Sequence, residues 1–294
     1  MTNFPKDSAI FRYRPACVLK VGGADAATFL QGQFTNDLRN ISPGQSVYGL
    51  WLDRKGHVIA DSNVVLADGG AEYWIVSIDS PAPTIARHLE DHIIADEVVI
   101  GDATGSWRGA SLIGAGVGQW LSAESRPGLS FPGRRCSGEN WEWVFPDSES
   151  ALVDGHISGA GVLSDEDVER MRIASAIPAV PRDIGPGDLP NEGGLDLHAI
   201  SYSKGCYLGQ EVMARLKSRG RVRRVLVRVA GAGGPPSVPA VLWRSGRREG
   251  ELRSAVADGP GYSGLALVSA SAASGGSFSL ASEIPPSLDV VLSA

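Results

Sequence analysis

Short alternating apolar runs fill the first hundred residues, separated by glycine- and aspartate-bearing turns. CVLKV (17–21) reads as a strand, GGAD as a turn, and AATFLQGQFTND as a helix ending near Gly32. Strands follow at VYGLWL (47–52), HVIADSNVVLA (57–67) and EYWIVSI (72–78), punctuated by DRKG and DGG. A helix beginning after Pro83 runs through IARHLEDHII, and EVVIGD is a further strand. Near residue 108 the order restarts. GASLIGAGVGQWLSAE repeats the strand, glycine turn and helix of ACVLKVGGADAATFLQGQ, which suggests two related α/β layers. EDVERMRIASAI (166–177) is a helix stopped by the prolines at 178 and 181, and a loop rich in glycine and proline leads to KGCYLGQEVMARLKSRG.

From residue 224 the helical signals disappear. VRRVLVRVAG, VLWRSG, GELRSAVA and SGLALVSA are short strands around a GAGGPPSVPA loop, as in a small all-β barrel or jelly roll. The pattern is that of an α+β fold in three parts: an N-terminal α/β domain over 1–105, a second α/β part over 106–223 that includes KGCYLGQE, and a β domain over 224–294.

Composition narrows the function classes. With 43% hydrophobic and 20% charged residues, a net charge of −6 and a pI near 5.4, the whole molecule is no general binder of nucleic acid or membrane surfaces. No run of 18 apolar residues is present, so no membrane span is expected. The start, MTNFPKDSAIFRYRP, lacks a secretory apolar region and has too few arginines for a transit peptide. The three cysteines, Cys17, Cys136 and Cys206, are odd in number and far apart, which argues for a reducing compartment, the cytoplasm by default. They form no CxxC, so the chain can donate one iron–sulfur ligand at most and holds no stable metal alone.

Candidate chemistry centres on 204–220. Gly205 and Gly209 bracket Cys206, Tyr207 and Leu208, and the helical stretch after them puts Val212, Met213 and Leu216 on one side. Glu211 and Arg215 are spaced to pair, and Gly220 is placed to stop the helix. A helix start just downstream and Lys204 two residues back would both favour the thiolate of Cys206. The alternative is an inert cysteine buried at a strand end. From Lys204 to Arg248 there are eleven cations against one acid, Glu211. Such a segment suits a polyanion such as RNA or a phosphate. It also suits a solvated face, since Arg224 and Arg228 alternate with Val225, Val227 and Val229. His88 and His92 have metal-ligand spacing, but HLEDH is not HExxH and no third ligand is evident. GAGVG (114–118) lacks dinucleotide-binding spacing. Asp61 lies amid apolar strand residues and must be paired, surface-facing or functional.

At KGCYLGQEVMARLKSRG the sequence resembles the YgfZ family, relatives of the glycine-cleavage-system aminomethyltransferase. PNEGGLDLHAISYSKGCYLGQE, GADAATFLQGQFTNDL, SWRGASLIGAG, RMRIASAIP, GELRSAV and GLALV follow the family's order, so the resemblance covers nearly the whole chain. It implies a ring-like, multi-domain α+β fold with a tetrahydrofolate-binding hollow and a C-terminal β barrel. It also implies a role in assembly or repair of iron–sulfur clusters, [4Fe–4S] above all, in clients such as tRNA-modifying enzymes. Cys206 would be the essential thiol, a transient cluster ligand or a redox group. Lys204, Gly205, Tyr207, Gly209, Gln210, Glu211 and Arg215 match the signature. Asp61, Arg215 and Arg221 are the candidate folate contacts, and the expected partners are folate, cluster-assembly proteins and client enzymes, without direct nucleic-acid or membrane contact. A folate-dependent aminomethyl transferase is the alternative, with Asp61 near the reacting nitrogen. The transferase's R-L-E-A-G-L-P glutamate, a pterin contact, corresponds to Ala174 in RIASAIP, which counts against that alternative. A third reading is an RNA- or protein-binding module built on the basic segment.

Overall fold

The computed structural model describes residues 3–282 and 288–291. Its first sheet has the order β3 (Ser46–Leu52), β4 (Val58–Leu66), β5 (Tyr73–Ser77), β2 (Cys17–Gly22), β6 (Val99–Asp102), antiparallel throughout. α1 (Ala26–Gln33) and α2 (Ala82–Glu90) cover one face, with Phe29, Leu30, Ile85 and Leu89 packed on Leu19, Trp51 and Ile75. The other face meets a second sheet. Val18, Val65 and Val76 lie against Trp107, Phe131 and Val144. Two-sided burial explains why β2 and the end of β4 are almost continuously apolar rather than alternating.

The second sheet runs β10 (Gly161–Val162), β1 (Ala9–Tyr13), β7 (Trp107–Ile113), β9 (Asn140–Pro146), β8 (Leu129–Pro132), so the chain's first strand pairs with β7 rather than with its sequence neighbours. α3 (Val117–Ser122) and α4 (Ser150–His156) supply Val117, Leu121 and Val153 to a core with Ile10, Leu112 and Trp143. The two α/β layers read from the repeat are therefore present, packed sheet to sheet.

The third sheet has the order β12 (Ala240–Arg244), β13 (Arg247–Asp258), β14 (Gly261–Ser269), β11 (Arg224–Ala232), β16 (Leu288–Val291), β15 (Ser277–Phe278). Reciprocal backbone bonds between Trp243 and Ser279 join its two edges and close it into a barrel. α5 (Asp165–Ala174) ties the barrel to the rest. Buried Arg172 bonds Asp183 at 2.6 Å, Glu169 at 2.7 Å and Ser254 of the barrel at 3.0 Å.

Two helix boundaries differ from expectation. α2 begins at Ala82, with Pro83 inside its first turn where no N–H is needed, and it ends at Glu90. Residues 91–94 leave the helix, and Ile94 is exposed. α5 stops at Ala174, and Ala176 takes φ 53°, which ends the helix before the prolines do. Among the described residues no helix is long and apolar enough to cross a membrane.

Candidate functional site

The three thiols have different surroundings. Cys17 is fully buried beneath the first sheet, its Sγ 3.8 Å from the Ile75 carbonyl, and burial pushes its pKa up to about 12. Cys136 is half-buried in the β8–β9 turn, and Cys206 is exposed. The exposure of Cys206 disposes of the inert, buried alternative.

The loop that carries Cys206 is pinned on both sides. Upstream, the Ser201 N–H donates to the Thr35 carbonyl at 3.1 Å, and the Thr35 hydroxyl donates to the Ala199 carbonyl at 2.7 Å. Lys204 is 4% exposed, and its Nζ donates to the carbonyls of Gln31 (2.8 Å), Phe34 (2.5 Å) and Asn36 (2.8 Å). Those oxygens belong to the last turn of α1 and the residues after it, and no basic residue in that turn serves them. Burial draws the Lys204 pKa down to about 8, against the pull of the Asp37 carboxylate. The ammonium expected to support the thiolate of Cys206 is thus committed to fastening the loop onto α1.

Downstream, Tyr207 is buried in a core with Leu50, Leu52, Val180 and Met213, and the Leu208 N–H donates to Gly32 at 3.2 Å. Gly209 has φ +85°, and an added Cβ there would lie 2.8 Å from the Asp53 carbonyl in the β3–β4 turn. Only glycine fits that close, left-handed position. After the short helix α6 (Asp196–Ala199) upstream of the loop, α7 (Gln210–Arg219) starts immediately after Gly209, with Val212 and Met213 against Gly56 of the same turn. Gly205 is different: it is exposed, and an added Cβ would meet nothing within 4 Å. Glu211 and Arg215 are both exposed and form no ion pair among the described residues, contrary to their helical spacing.

The basic segment divides in two. Arg224 pairs with Glu192 at 2.6 Å and Asp188 at 3.0 Å, Arg244 stacks on Phe278, and Lys217 lies over Tyr202. Acids from outside the segment therefore neutralise part of its charge. Arg215, Arg221 and Arg223 are exposed and unpaired among the described residues, on α7 and just beyond it.

Asp61 occupies a separate hollow where β3 and β4 face the β8–β9 turn and the segment after α5. Tyr48 donates to its Oδ2 at 3.0 Å, and the hydroxyls of Ser77 and Ser80 lie 3.0 and 2.8 Å from Oδ1. Burial pushes the carboxyl above the usual carboxylate range against the pull of these hydroxyls. Tyr48 pairs with Asn63 in the ladder, so Asp61, two residues along the same face, is its diagonal neighbour. Arg134 lies with its guanidinium carbon 4.2 Å from the Tyr48 ring centroid. Beside it, buried Arg135 is fixed by Glu142 at 3.2 Å and Ser111 at 3.0 Å. The space left is about 40 Å³, room for a few waters at roughly 10–15 Å³ each.

The structure does not bring the expected site together. Cys206, Arg215 and Arg221 do not line the hollow that holds Asp61. Ala174 is exposed on α5, and Arg172 is what this helix turns towards the hollow. Tyr48, Ser77, Ser80 and Arg134 were not anticipated. The only sequence signal for the first three was the unexplained carboxylate in HVIADSNVV, which required donors nearby. The His88–His92 pair is not a metal site: His88 is buried against Trp51, and His92 Nδ1 contacts the His88 carbonyl at 2.7 Å. Among the described residues no three His, Cys, Asp or Glu side chains are grouped to hold a metal ion.

Comparison with known proteins bears on the fold. The GCVT N-terminal domain family matches residues 6–126. The crystal structure of glycine cleavage system aminomethyltransferase T from Bartonella henselae superposes with a TM-score of 0.78 at 17% identity, covering 96% of this chain and 84% of that one. This likeness shows the fold. The mitochondrial iron–sulfur cluster assembly factor IBA57 of Homo sapiens is 28% identical over 286 residues, 88% of this chain and 77% of the relative. The tRNA-modifying protein YgfZ of Aliivibrio fischeri is 25% identical over 224 residues, 71% of this chain and 67% of the relative. Over most of its length the chain is similar to the IBA57 and YgfZ proteins, and its fold is that of the aminomethyltransferase. Within this fold the thiol lies on a fastened outer loop, while the acid is enclosed in the hollow.

A folate does not fit the hollow in this arrangement. The aromatic floor and the carboxylate are in place, but both Asp61 oxygens are engaged by hydroxyls and the free space is far smaller than a pterin ring.

Proposed function

We propose that this chain is an accessory factor for the assembly or repair of iron–sulfur clusters, acting through the thiol of Cys206. One observation carries the reading: of the three cysteines only Cys206 is exposed, and the loop presenting it is anchored by Lys204, Tyr207 and Gly209. The names of the human and Aliivibrio fischeri relatives agree with it. One thiolate supplies one ligand, so a cluster as cargo takes its remaining ligands from an assembly protein or a client enzyme. The unpaired Arg215, Arg221 and Arg223 favour an acidic partner on that side. Unpaired thiols suit a reducing compartment, the cytoplasm or the mitochondrial interior.

Aminomethyl transfer is not the reading favoured. Asp61 has its oxygens occupied, and α5 offers Ala174 and Arg172 where an acceptor for a pterin would be required. The test is the activity of a [4Fe–4S] enzyme in cells lacking this protein, rescued by wild type or Cys206→Ala at equal soluble levels. Wild type is expected to restore activity and the variant to fail. Equal rescue would remove Cys206 from the mechanism.

A further inference from the structure

Ser80 is fully buried, and its Oγ has three polar neighbours. The Asp61 N–H donates to it at 3.0 Å, Asp61 Oδ1 lies at 2.8 Å, and the buried Val180 carbonyl lies at 3.0 Å. A hydroxyl has one hydrogen to give. With Asp61 ionised, Oδ1 and the Val180 carbonyl compete for it and one goes without; no other donor reaches that carbonyl among the described residues. We propose that Asp61 is held in the fold as a neutral carboxylic acid, its proton between Oδ1 and Ser80, and that this proton latches the first sheet to the segment after α5. The latch needs neither a ligand in the hollow nor the role given to Cys206.

A protonated Oδ1 removes the conflict, because it donates to Ser80 and Ser80 then donates to Val180. The other hydroxyls keep their places. Ser77 accepts the Ser80 N–H at 3.0 Å and gives its hydrogen to Oδ1 at 3.0 Å, while Tyr48 donates to Oδ2 at 3.0 Å. Every donor and acceptor is matched, as buried polar groups require. Among the charged groups lining the hollow, Arg135 is answered by Glu142 at 3.2 Å, and Arg172 by Asp183 at 2.6 Å and Glu169 at 2.7 Å. Burial is the largest influence on Asp61 and favours the neutral form; Asp79 adds to it and Arg134 opposes it. Ionisation draws the Ser80 hydrogen to Asp61 and frees the Val180 carbonyl. Val180 packs in the core that holds Tyr207 and Met213, so the latch ends where the Cys206 loop is seated. The stability that the proton contributes is complete below about pH 3.9, the ordinary aspartate value, and is lost as the pH rises through the raised value in the fold.

Carbon-13 NMR of the Asp61 carboxyl across a pH titration of the full chain reads the proton directly, the signal being identified by its absence from Asp61→Asn. The wild-type midpoint is expected above about 3.9, the ordinary aspartate value. The two serines should then move it in opposite directions. Ser77→Ala removes a donor that favours the anion and raises the midpoint. Ser80→Ala removes the acceptor of the acid proton and lowers it, each variant by roughly twofold to twelvefold in the ionisation constant. Ser80→Cys keeps the volume but accepts weakly, so it should lower the midpoint by less, and it serves if Ser80→Ala does not fold. The Val180 carbonyl carbon should follow the same midpoint as it loses its donor. A wild-type midpoint at or below about 3.9, or serine variants that shift it the same way or leave it in place, would overturn the neutral acid. A Val180 signal indifferent to the ionisation of Asp61 would overturn the latch.

Discussion

Replacing Lys204 with methionine tests directly how the Cys206 loop is held. The substitution keeps the length and apolar stem of the side chain but donates to nothing, so the carbonyls of Gln31, Phe34 and Asn36 lose a shared partner. Charge-assisted hydrogen bonds contribute roughly 1.5–3 kcal/mol each. Three would exceed the net effect, because the variant also removes the cost of burying an ammonium and water reaches part of the vacated site. Leaving buried neutral acceptors without their donor costs roughly 1–3 kcal/mol, and that is the loss expected for Lys204→Met. Urea unfolding followed by tryptophan fluorescence measures it. Hydrogen exchange localises it, with the Leu208 amide, bonded to Gly32, losing protection before the barrel strands do. Lys204→Arg should also fail, since a planar fork cannot direct its donors at three oxygens converging on one point. A change below about 0.5 kcal/mol for Lys204→Met, with Leu208 protection intact, would refute the anchoring role.

The two glycines around Cys206 should respond oppositely to alanine. Gly209→Ala is expected to lose about 2 kcal/mol or more in urea unfolding, because it combines φ +85° with a 2.8 Å approach to Asp53. Gly205→Ala should stay within about 0.5 kcal/mol, so loss of cluster-enzyme rescue in that variant would report a partner's approach rather than instability. Buried His88 has its pKa lowered to about 4 by burial, then by His92. The neutral ring is favoured in the fold, so the unfolded chain takes up the proton first as pH falls. Stability should therefore drop between about pH 6.5 and pH 4, by up to roughly 3 kcal/mol. His88→Leu should flatten that segment of the curve, and parallel curves for variant and wild type would disprove the assignment.

Much of the fold was legible because its signals are local. The strands at 47–52, 57–67 and 72–78 were bounded by turn residues and appear as β3, β4 and β5. The repeat near residue 108 appears as β7 and α3. What escaped depends on distant contacts. β9 carries Glu142 in mid-strand, which spoils an apolar pattern until Arg135 and Ser111 are seen to neutralise it. β1 gains its identity only by pairing with β7, about a hundred residues later in the chain. The site was legible to the same extent. KGCYLGQE marked the correct loop, but nothing near Lys204 in sequence shows that its ammonium caps a helix ending at Gln33. The apparent excess of charge in 204–248 had a similar cause, since the acids that answer Arg224 come from residues 188 and 192.

The position of Cys206 agrees with the role proposed for a single thiol. One sulfur completes a cluster's coordination only with ligands from another molecule, so the bond forms only if two surfaces meet in a fixed orientation. A flexible loop would lose that orientation, and a buried thiol would prevent the meeting. The structure avoids both by placing the anchors on either side of the cysteine and leaving the cysteine bare. Lys204 binds the loop to α1, Tyr207 fills a core, and Gly209 lies against the β3–β4 turn, while Gly205 and Cys206 remain in the open. The two glycines of the motif therefore have separate reasons to be glycine. Gly209 is required by the fold of this chain, whereas the bare backbone at Gly205 has no such internal reason, which agrees with the proposed docking of a partner there.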